Sequence, residues 1–187
     1  MTVEELAMKV ISACEAEKLD HMLTGAFAFN FYAIPRSTKD VDIVVDVTGA
    51  VKISALINRL EPEIEFRGQV QFDTLTWGKR HIGRPAQNST LEVELFELFN
   101  DPFVQAQFKR RRRLVLPQIG METWIPTPED IVVQKLRWGR SKDLDDARDV
   151  LATEDPETLD MPYIQNWCAI HKTTDRLEAA LASIPPL

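Results

Sequence analysis

The residues best suited to chemistry are two aspartates, Asp40 and Asp42, in the β-branched run of residues 40 to 46. Polar residues bound this run, so it is predicted to be a strand. Successive side chains of a strand point to opposite faces, which places Asp40 and Asp42 together on one face. Two close carboxylates repel each other unless a cation neutralises them, and Mg²⁺ is a hard cation that prefers oxygen ligands. The pair indicates a Mg²⁺ site, although an isolated Asp-x-Asp pattern is more often an ordinary solvent-facing strand.

Helices are predicted on both sides of this strand. Two of them are predicted because apolar residues recur at three- and four-residue spacing. The third is a short run that is apolar on all sides and is opened by a glycine turn. The predicted segments are residues 3 to 18, the run AFAFNFYAI between Gly25 and Pro35, and residues 50 to 60.

Two further strands are predicted from alternating apolar residues, over residues 70 to 75 and 91 to 96. Residues 78 to 90 are rich in Gly, Pro, Asn and Ser, and they are predicted to form a hairpin-like loop.

The chain changes character at Thr127, which is predicted to cap a helix that begins at Pro128. Residues 128 to 183 are predicted to be all-helical, in three or four short helices. The fold class is therefore α/β, more strictly α+β: a mixed sheet flanked by helices, with a C-terminal helical extension. We expect a core over residues 1 to 126 and a helical subdomain over residues 127 to 187, packed on that core.

Composition limits the classes of function. The chain has 187 residues, of which 44% are hydrophobic, and this composition is typical of a globular protein. Its formal net charge of -7 argues against a protein whose whole surface attracts nucleic acid. No apolar run is long enough to cross a membrane, and the start of the chain lacks a secretory signal pattern, so a cytoplasmic protein without a membrane partner is expected. The basic run over residues 109 to 113 fits either RNA contact or protection of a sheet edge.

Residues 24 to 28, Thr-Gly-Ala-Phe-Ala, and residues 36 to 45, Arg-Ser-Thr-Lys followed by the Asp-x-Asp strand, resemble the nucleotidyltransferase superfamily that includes DNA polymerase beta. Within it, the resemblance is to the small bacterial enzymes of the abortive-infection toxin type or to their uncharacterised relatives. It implies that a glycine turn opens a short helix and that the strand aspartates hold one or two Mg²⁺ ions. The implied nucleotide-binding residues are Thr24, Gly25, Ala26, Arg36, Thr38, Lys39 and, from the second region below, Asp143.

The resemblance also implies a third carboxylate on a later strand. Glu94 is the best match, although a glutamate is unusual there, and Glu92 lies on the same strand face, so the choice between the two stays open. Ala26 replaces the glycine or serine expected from the resemblance. Alanine has no hydroxyl for a phosphate, but the N–H groups at the helix start are still available to bind one.

A second region of resemblance covers residues 127 to 137 and 140 to 147. It is similar to the Glu-Asp-Leu-Ile-x-x-Lys segment and the following Lys-Asp-x-x-Asp helix of the same toxin-type enzymes. The resemblance implies that Lys135 faces a phosphate, with Asp143 and Asp146 on one helix face. The structural alternative for Lys135 is an exposed helix lysine, and for Asp143 it is an acid at a helix N-terminus that complements the helix dipole. An ion pair from Asp143 to Lys135 or Arg140 would combine the functional and the structural interpretations.

Together these features imply a Mg²⁺-dependent enzyme that moves a nucleoside monophosphate from an NTP to a hydroxyl. The catalytic residues would be Asp40, Asp42, Glu94 and Lys135, with Asp40, Asp42 and Glu94 as metal ligands. The acceptor would be tRNA or protein, within a toxin-antitoxin pair that supplies an antitoxin partner. Two alternatives stay open: a binding scaffold of the same fold with impaired catalysis, and an antibiotic-modifying nucleotidyltransferase with an acidic acceptor pocket.

Overall fold

The computed structural model describes residues 1–47, 52–61, 63–72, 78–88 and 90–184. The chain divides into two compact units, the first comprising Met1–Phe27 with Ser37–Ile125, and the second Ala28–Arg36 with Pro126–Leu187. The division predicted from the sequence lies between residues 126 and 127 alone, so it assigns residues 28 to 36 to the first unit.

The first unit is built on a mixed sheet. Its described strands follow the order β1-β2-β6-β5-β3, and β4 also pairs with β5. Strands β2 and β6 run parallel, and the other pairs are antiparallel. The elements up to the sixth strand are α1 (Val3–Ala16), β1 (His21–Leu23), α2 (Gly25–Tyr32), β2 (Asp40–Val45), α3 (Ile53–Leu60), β3 (Ile64–Phe66), β4 (Gln71–Phe72), β5 (Lys79–Pro85) and β6 (Glu92–Glu97).

A second, two-stranded sheet completes the first unit. Helix α4 (Pro102–Arg110) leads into the antiparallel strands β7 (Arg112–Leu116) and β8 (Met121–Ile125). The predicted helix over residues 50 to 60 corresponds to α3, although its first two residues lie outside the described part of the chain. Of the predicted strand over residues 70 to 75, β4 is described and residues 73 to 75 are not.

The central strand β2 has one face that is apolar throughout and a second face that is apolar at one end and polar at the other. Val41, Ile43 and Val45 are fully buried on one face, and α1 contacts β2. On the other face Val44 belongs to an apolar cluster with Phe108 of α4, while the other end of the same strand carries the two aspartates. The cluster buries one half of that face, so the polar half is confined to the beginning of β2.

The prediction of a loop over residues 78 to 90 is wrong, because residues 79 to 85 form β5, an interior strand of the sheet. Pairing with β6 on one side and β3 on the other outweighs the local preference of glycine and proline for turns. Gly83 marks a close approach: a methyl group there would lie 2.8 Å from side-chain carbons of both Ile64 and Phe66.

The second unit is helical after residue 126, as predicted. Its helices are α5 (Pro128–Trp138), α6 (Ser141–Thr153), α7 (Met161–His171) and α8 (Thr174–Ala182). Thr127 caps α5 through a hydrogen bond from the Asp130 backbone N–H. The buried Asp130 carboxylate accepts a hydrogen bond from Tyr163 Oη at 2.6 Å, which ties α5 to α7. Across the described residues, no helix is both long enough and apolar enough to span a membrane.

The role of Gly83 can be tested by replacing it with alanine. Gly83→Ala forces Ile64 and Phe66 apart, so we expect the free energy of unfolding to fall by about 1–3 kcal/mol in urea denaturation. Gly68→Ala is the matched control, because no atom lies within 4 Å of its added methyl group. Equal stability of the two variants would contradict the close packing of β5 on β3.

Candidate functional site

The carboxylates of β2 and β6 lie in register on one sheet face. In the parallel pairing Asp40 is opposite Glu92 and Asp42 is opposite Glu94. The apolar residues between them on both strands are buried, whereas Asp42 and both glutamates are half-buried and Asp40 is exposed. Four acidic side chains therefore share a small area of the sheet, where they repel one another unless cations neutralise them.

The Asp42 carboxylate packs against the backbone at the start of α2. Gly25 has a φ of +61°, and a methyl group there would lie 1.9 Å from Asp42 Oδ2, so this position requires glycine on both counts. The Thr24 backbone N–H donates to the Asp42 carbonyl oxygen at 2.8 Å. These contacts place one strand aspartate beside a helix N-terminus, where unpaired N–H groups and the helix dipole favour anions such as phosphate.

Glu94, the predicted third carboxylate, is held by an arginine. Arg80 of β5 donates from Nη1 to Glu94 Oε2 at 3.0 Å and from Nη2 to Gln71 Oε1 at 3.0 Å. Burial raises the pKa of the Glu94 carboxyl, the neighbouring Glu92 and Asp40 charges raise it further, and Arg80 opposes the shift; the net pKa is raised.

Glu92, the competing choice for the third carboxylate, is also engaged by arginines. Arg84 donates to Glu92 Oε2 from Nε at 2.9 Å, and Arg67 Nη2 lies 3.7 Å from the same oxygen. The register places Glu94 rather than Glu92 opposite Asp42. The role of Glu94 as a metal ligand stays a prediction.

The fit of this face to Mg²⁺ is partial. Asp40 and Asp42 supply oxygen donors two residues apart, and the glycine backbone leaves space for the Asp42 carboxylate. Over the ranges that the structure describes, no group of three or more His, Cys, Asp and Glu side chains is arranged to hold a metal. Binding of an ion by Asp40 and Asp42 stays a prediction.

The residues around the start of β2 have defined contacts. The Thr38 hydroxyl accepts a hydrogen bond from the Asp40 backbone N–H at 3.1 Å, so Thr38 orients the entry to the strand. Lys39 has an exposed side chain, and its carbonyl oxygen accepts from the Glu92 N–H at 3.0 Å. Ala26 is buried in the first turn of α2, where its methyl group adds no polar contact.

In the second unit, Lys135 lies in a buried ion cluster. Its Nζ donates to Asp143 Oδ1 at 3.2 Å and to Asp146 Oδ2 at 2.6 Å, and all three residues are buried. Arg140 pairs with Asp143 and Arg36 with Asp146, so an arginine stands at each end of the cluster. The contact of Asp143 with both Lys135 and Arg140 is the ion pair that the sequence allowed, and phosphate contact by Lys135 stays a prediction.

The Arg36 guanidinium is held on Asp146 by two hydrogen bonds, from Nε at 3.1 Å and from Nη2 at 2.9 Å. Burial alone would raise the pKa of Asp146, but the hydrogen bonds and charges of Arg36 and Lys135 lower it below its ordinary value. Asp146 therefore stays ionised and fixes the position of Arg36, the residue that begins the Arg-x-Thr motif.

Asp146 and Arg80 are among the residues of these clusters that were not predicted site residues. Asp146 belongs to the Lys-Asp-x-x-Asp pattern, and its spacing from Asp143 was a usable signal. Arg80 carried no such signal, because its segment was predicted to be a loop and its partner Glu94 is on another strand.

Two arginines of the basic run over residues 109 to 113 have contacts within the first unit. Arg111 pairs with Asp20 at 2.9 Å and stacks on the rings of Phe108 and Trp124. Arg113 pairs with Glu122 at 3.0 Å on the neighbouring strand. These contacts favour a structural role for the run over RNA binding.

Sheet order, paired aspartates and a glycine-opened helix together define a nucleotidyltransferase-type domain. The chain belongs to the family described as "Nucleotidyltransferase of unknown function (DUF6036)", which matches residues 1–179. No curated protein sequence matches the chain.

Solved structures of the same fold agree with this assignment. The chain is similar to ANT(2")-Ia in complex with adenylyl-2"-tobramycin, with a TM-score of 0.62 and 11% identity over 94% of this chain and 99% of that one. An antigenic nucleotidyltransferase-like protein from Paracoccidioides brasiliensis gives a TM-score of 0.54 and 19% identity over 98% and 94% of the two chains. JHP933 from Helicobacter pylori gives a TM-score of 0.53 and 15% identity over 97% of this chain and 89% of that one. At these identities the similarity shows the fold alone.

The packing of Asp42 on Gly25 predicts a specific effect of a single methyl group. Gly25→Ala incurs the cost of a left-handed alanine, about 1–2 kcal/mol, and also displaces the Asp42 carboxylate. Gly120→Ala is the matched control, because Gly120 has a φ of +59° and no atom within 4 Å of the added methyl group. Urea denaturation should show a larger loss for Gly25→Ala, and a loss no larger than the control's would contradict the packing.

The buried cluster makes Lys135 a determinant of stability. Lys135→Met leaves two buried carboxylates without their shared cation, so we expect the free energy of unfolding to fall by about 3 kcal/mol, at the lower end of the usual range because each carboxylate keeps an arginine. Lys142→Met, at an exposed position on α6, should change it by less than about 0.5 kcal/mol. Similar unfolding midpoints for the two variants would show that Lys135 is not needed for packing.

Proposed function

We propose that this protein is a Mg²⁺-dependent nucleotidyltransferase that moves a nucleoside monophosphate from an NTP to a hydroxyl of the acceptor. The observation that carries the proposal is the Asp40–Asp42 pair on one face of β2, with the Asp42 carboxylate packed on the Gly25 backbone at the start of α2. Family membership over residues 1–179 supports transferase chemistry in general.

The reaction forms a bond between the acceptor oxygen and the α-phosphorus and breaks the bond from that phosphorus to the bridging oxygen; pyrophosphate leaves, and the proton of the acceptor hydroxyl passes to water. Asp40 and Asp42 would hold the ion, which supplies positive charge to the triphosphate and acidifies the acceptor hydroxyl when bound. The N–H groups at the start of α2 would bind phosphate oxygens without help from a hydroxyl at Ala26.

The candidate cations of the two units differ in their contacts. Lys39 is exposed and adjacent to Asp40 in the chain, so it is free to reach a phosphate. Arg36 and Lys135 are bound to Asp146, and we propose that Lys135 acts chiefly by fixing this carboxylate, which in turn orients Arg36.

The charge of the sheet face bears on the acceptor. An antibiotic-modifying enzyme that binds a cationic acceptor needs free carboxylates, but Glu92 and Glu94 are each engaged by arginine. This supports an acceptor on RNA or protein over a polycation. A toxin role, an antitoxin partner and a cytoplasmic location are proposed from the resemblance alone.

One alternative has specific support. Ala26 has no hydroxyl that could bind a phosphate, and the Glu94 carboxylate accepts a hydrogen bond from Arg80. A scaffold that binds a nucleotide without transferring it is therefore the second candidate function. Pyrophosphate release distinguishes the two, because the scaffold would bind an NTP and release none.

Calorimetric titration of each NTP with and without Mg²⁺ tests the nucleotide site. The wild-type chain should bind at least one NTP only when Mg²⁺ is present, because the aspartates repel an uncomplexed triphosphate. Asp40→Asn/Asp42→Asn should weaken this binding by at least about tenfold, since each lost charge-assisted contact contributes about 1.5–3 kcal/mol.

The matched control is Asp145→Asn/Asp149→Asn, which removes two carboxylates that pair with Arg148 on α6. It should bind nucleotide as the wild type does. Mg²⁺-dependent binding that survives in the Asp40/Asp42 variant would place the nucleotide elsewhere and refute the proposal.

A further inference from the structure

We propose that His21 forms an acid-sensitive contact between the two sheets of the first unit, in which the neutral ring joins β1 to β8 and protonation of the ring separates them. The inference goes beyond the proposed function and does not depend on it. It gives a role to a buried titratable side chain that the proposed reaction does not use.

The contact is built from the His21 ring and its two hydrogen-bond partners. His21 of β1 is 3% exposed and Thr123 of β8 is 1% exposed, and β8 contacts β1 although the two strands belong to different sheets. His21 Nδ1 lies 3.1 Å from the Leu19 carbonyl oxygen, and Nε2 lies 3.4 Å from Thr123 Oγ1. One buried ring therefore joins the start of β1 to a strand of the other sheet.

The partners of the His21 ring determine where its proton lies. A carbonyl oxygen only accepts hydrogen bonds, so Nδ1 carries the proton that points to Leu19. In a neutral ring Nε2 is then an acceptor, and the Thr123 hydroxyl donates to it. Protonation of Nε2 removes this acceptor and places a charge on a ring that is shielded from water, which is costly.

The charges around His21 do not compensate for this burial. Glu15 of α1 and Asp20 of the preceding turn favour the charged ring, and Arg111 opposes it. Asp20 pairs with Arg111 at 2.9 Å, and Glu15 lies 3.8 Å from Arg113, so both carboxylates have a cationic partner. Burial outweighs the remaining attraction and lowers the pKa of the His21 imidazolium below its ordinary value.

Two further acids belong to the strands beside His21. Glu122 of β8 pairs with Arg113 on the neighbouring strand at 3.0 Å. Asp46 follows β2, and its backbone N–H donates to the Asp20 carbonyl oxygen at 2.8 Å. Within the part of the chain that the structure describes, the His21 ring bonds to neither of these acids.

The lowered pKa gives the His21 contact a defined pH dependence. Stabilisation by the neutral ring is fully present above the ordinary pKa of histidine, about 6.5, and is lost as the pH falls below it toward the pKa in the folded chain. Opening of the contact takes up one proton. Its equilibrium constant should therefore rise by up to about tenfold per pH unit in this range.

Amide hydrogen exchange of the full chain, followed by NMR between about pH 7.5 and about pH 5.5 and corrected for intrinsic exchange rates, tests the proposal. Protection of the β8 amides in the wild type should fall by up to about tenfold per pH unit below about pH 6.5. The amides of β6 should change by less than about twofold, because local opening leaves the central strands paired. His21→Gln has no titrating ring, so it should abolish the pH dependence in β8.

His81→Gln is the matched control, because His81 is also a buried histidine on a strand of the first unit and its Nε2 lies 2.8 Å from Glu97 Oε1. It should leave the pH dependence of β8 unchanged. Thr123→Val removes the hydroxyl that donates to His21. It should lower β8 protection at about pH 7.5 by roughly two- to tenfold, the effect of one lost hydrogen bond.

The ¹⁵N chemical shifts of the wild-type His21 ring decide the proposal even if His21→Gln folds poorly. They should show a neutral ring with its proton on Nδ1 at about pH 7.5. A ring that titrates at or above the ordinary histidine pKa would overturn the proposal. So would equal loss of protection in β6 and β8 as the pH falls, or a pH dependence of β8 that persists in His21→Gln.

Discussion

The parallel pairing of β2 with β6 is the contact on which the chemistry of the first unit depends. It aligns Asp42 with Glu94 and Asp40 with Glu92, so four carboxylates occupy one small area. A shift of the register by one residue would turn every carboxylate of one strand toward the buried apolar face. The fully buried Val41 and Val93, directly opposite each other, therefore hold the acidic residues in position.

Two clusters of charge are stabilised in different ways. In the second unit each buried carboxylate of the cluster has two cationic partners. Asp143 pairs with Lys135 and Arg140, and Asp146 pairs with Lys135 and Arg36. In the first unit, arginines of β5 pair with the two glutamates of β6, while Asp40 and Asp42 have contacts with Thr38 and the Gly25 backbone. Ion pairs therefore join α5 to α6 in the second unit and β5 to β6 in the first.

Much of this arrangement could be predicted from the sequence, because its signals are local. A β-branched run located β2, alternation located β6, and Thr127 with Pro128 marked the beginning of α5. The strand β5 was missed because glycine and proline favour turns, whereas the pairing that makes residues 79 to 85 a strand is not local. The Arg80–Glu94 pair depends on that pairing, so it was missed for the same reason.

The same limit applies to Lys135. Its motif indicated that it matters, but a motif does not state whether a lysine faces a phosphate or two buried aspartates. Only the packing of α5 on α6 shows that its ammonium group lies between Asp143 and Asp146. The sequence motif identified Lys135 as a candidate, and the packing of the two helices determines its contacts.

A crystal structure with Mn²⁺ and a non-hydrolysable NTP analogue tests the central claim most directly, because the anomalous signal locates the ion. The expected result is an ion bound by Asp40 and Asp42, with triphosphate oxygens at the start of α2. An ion and nucleotide bound away from these two aspartates would contradict it.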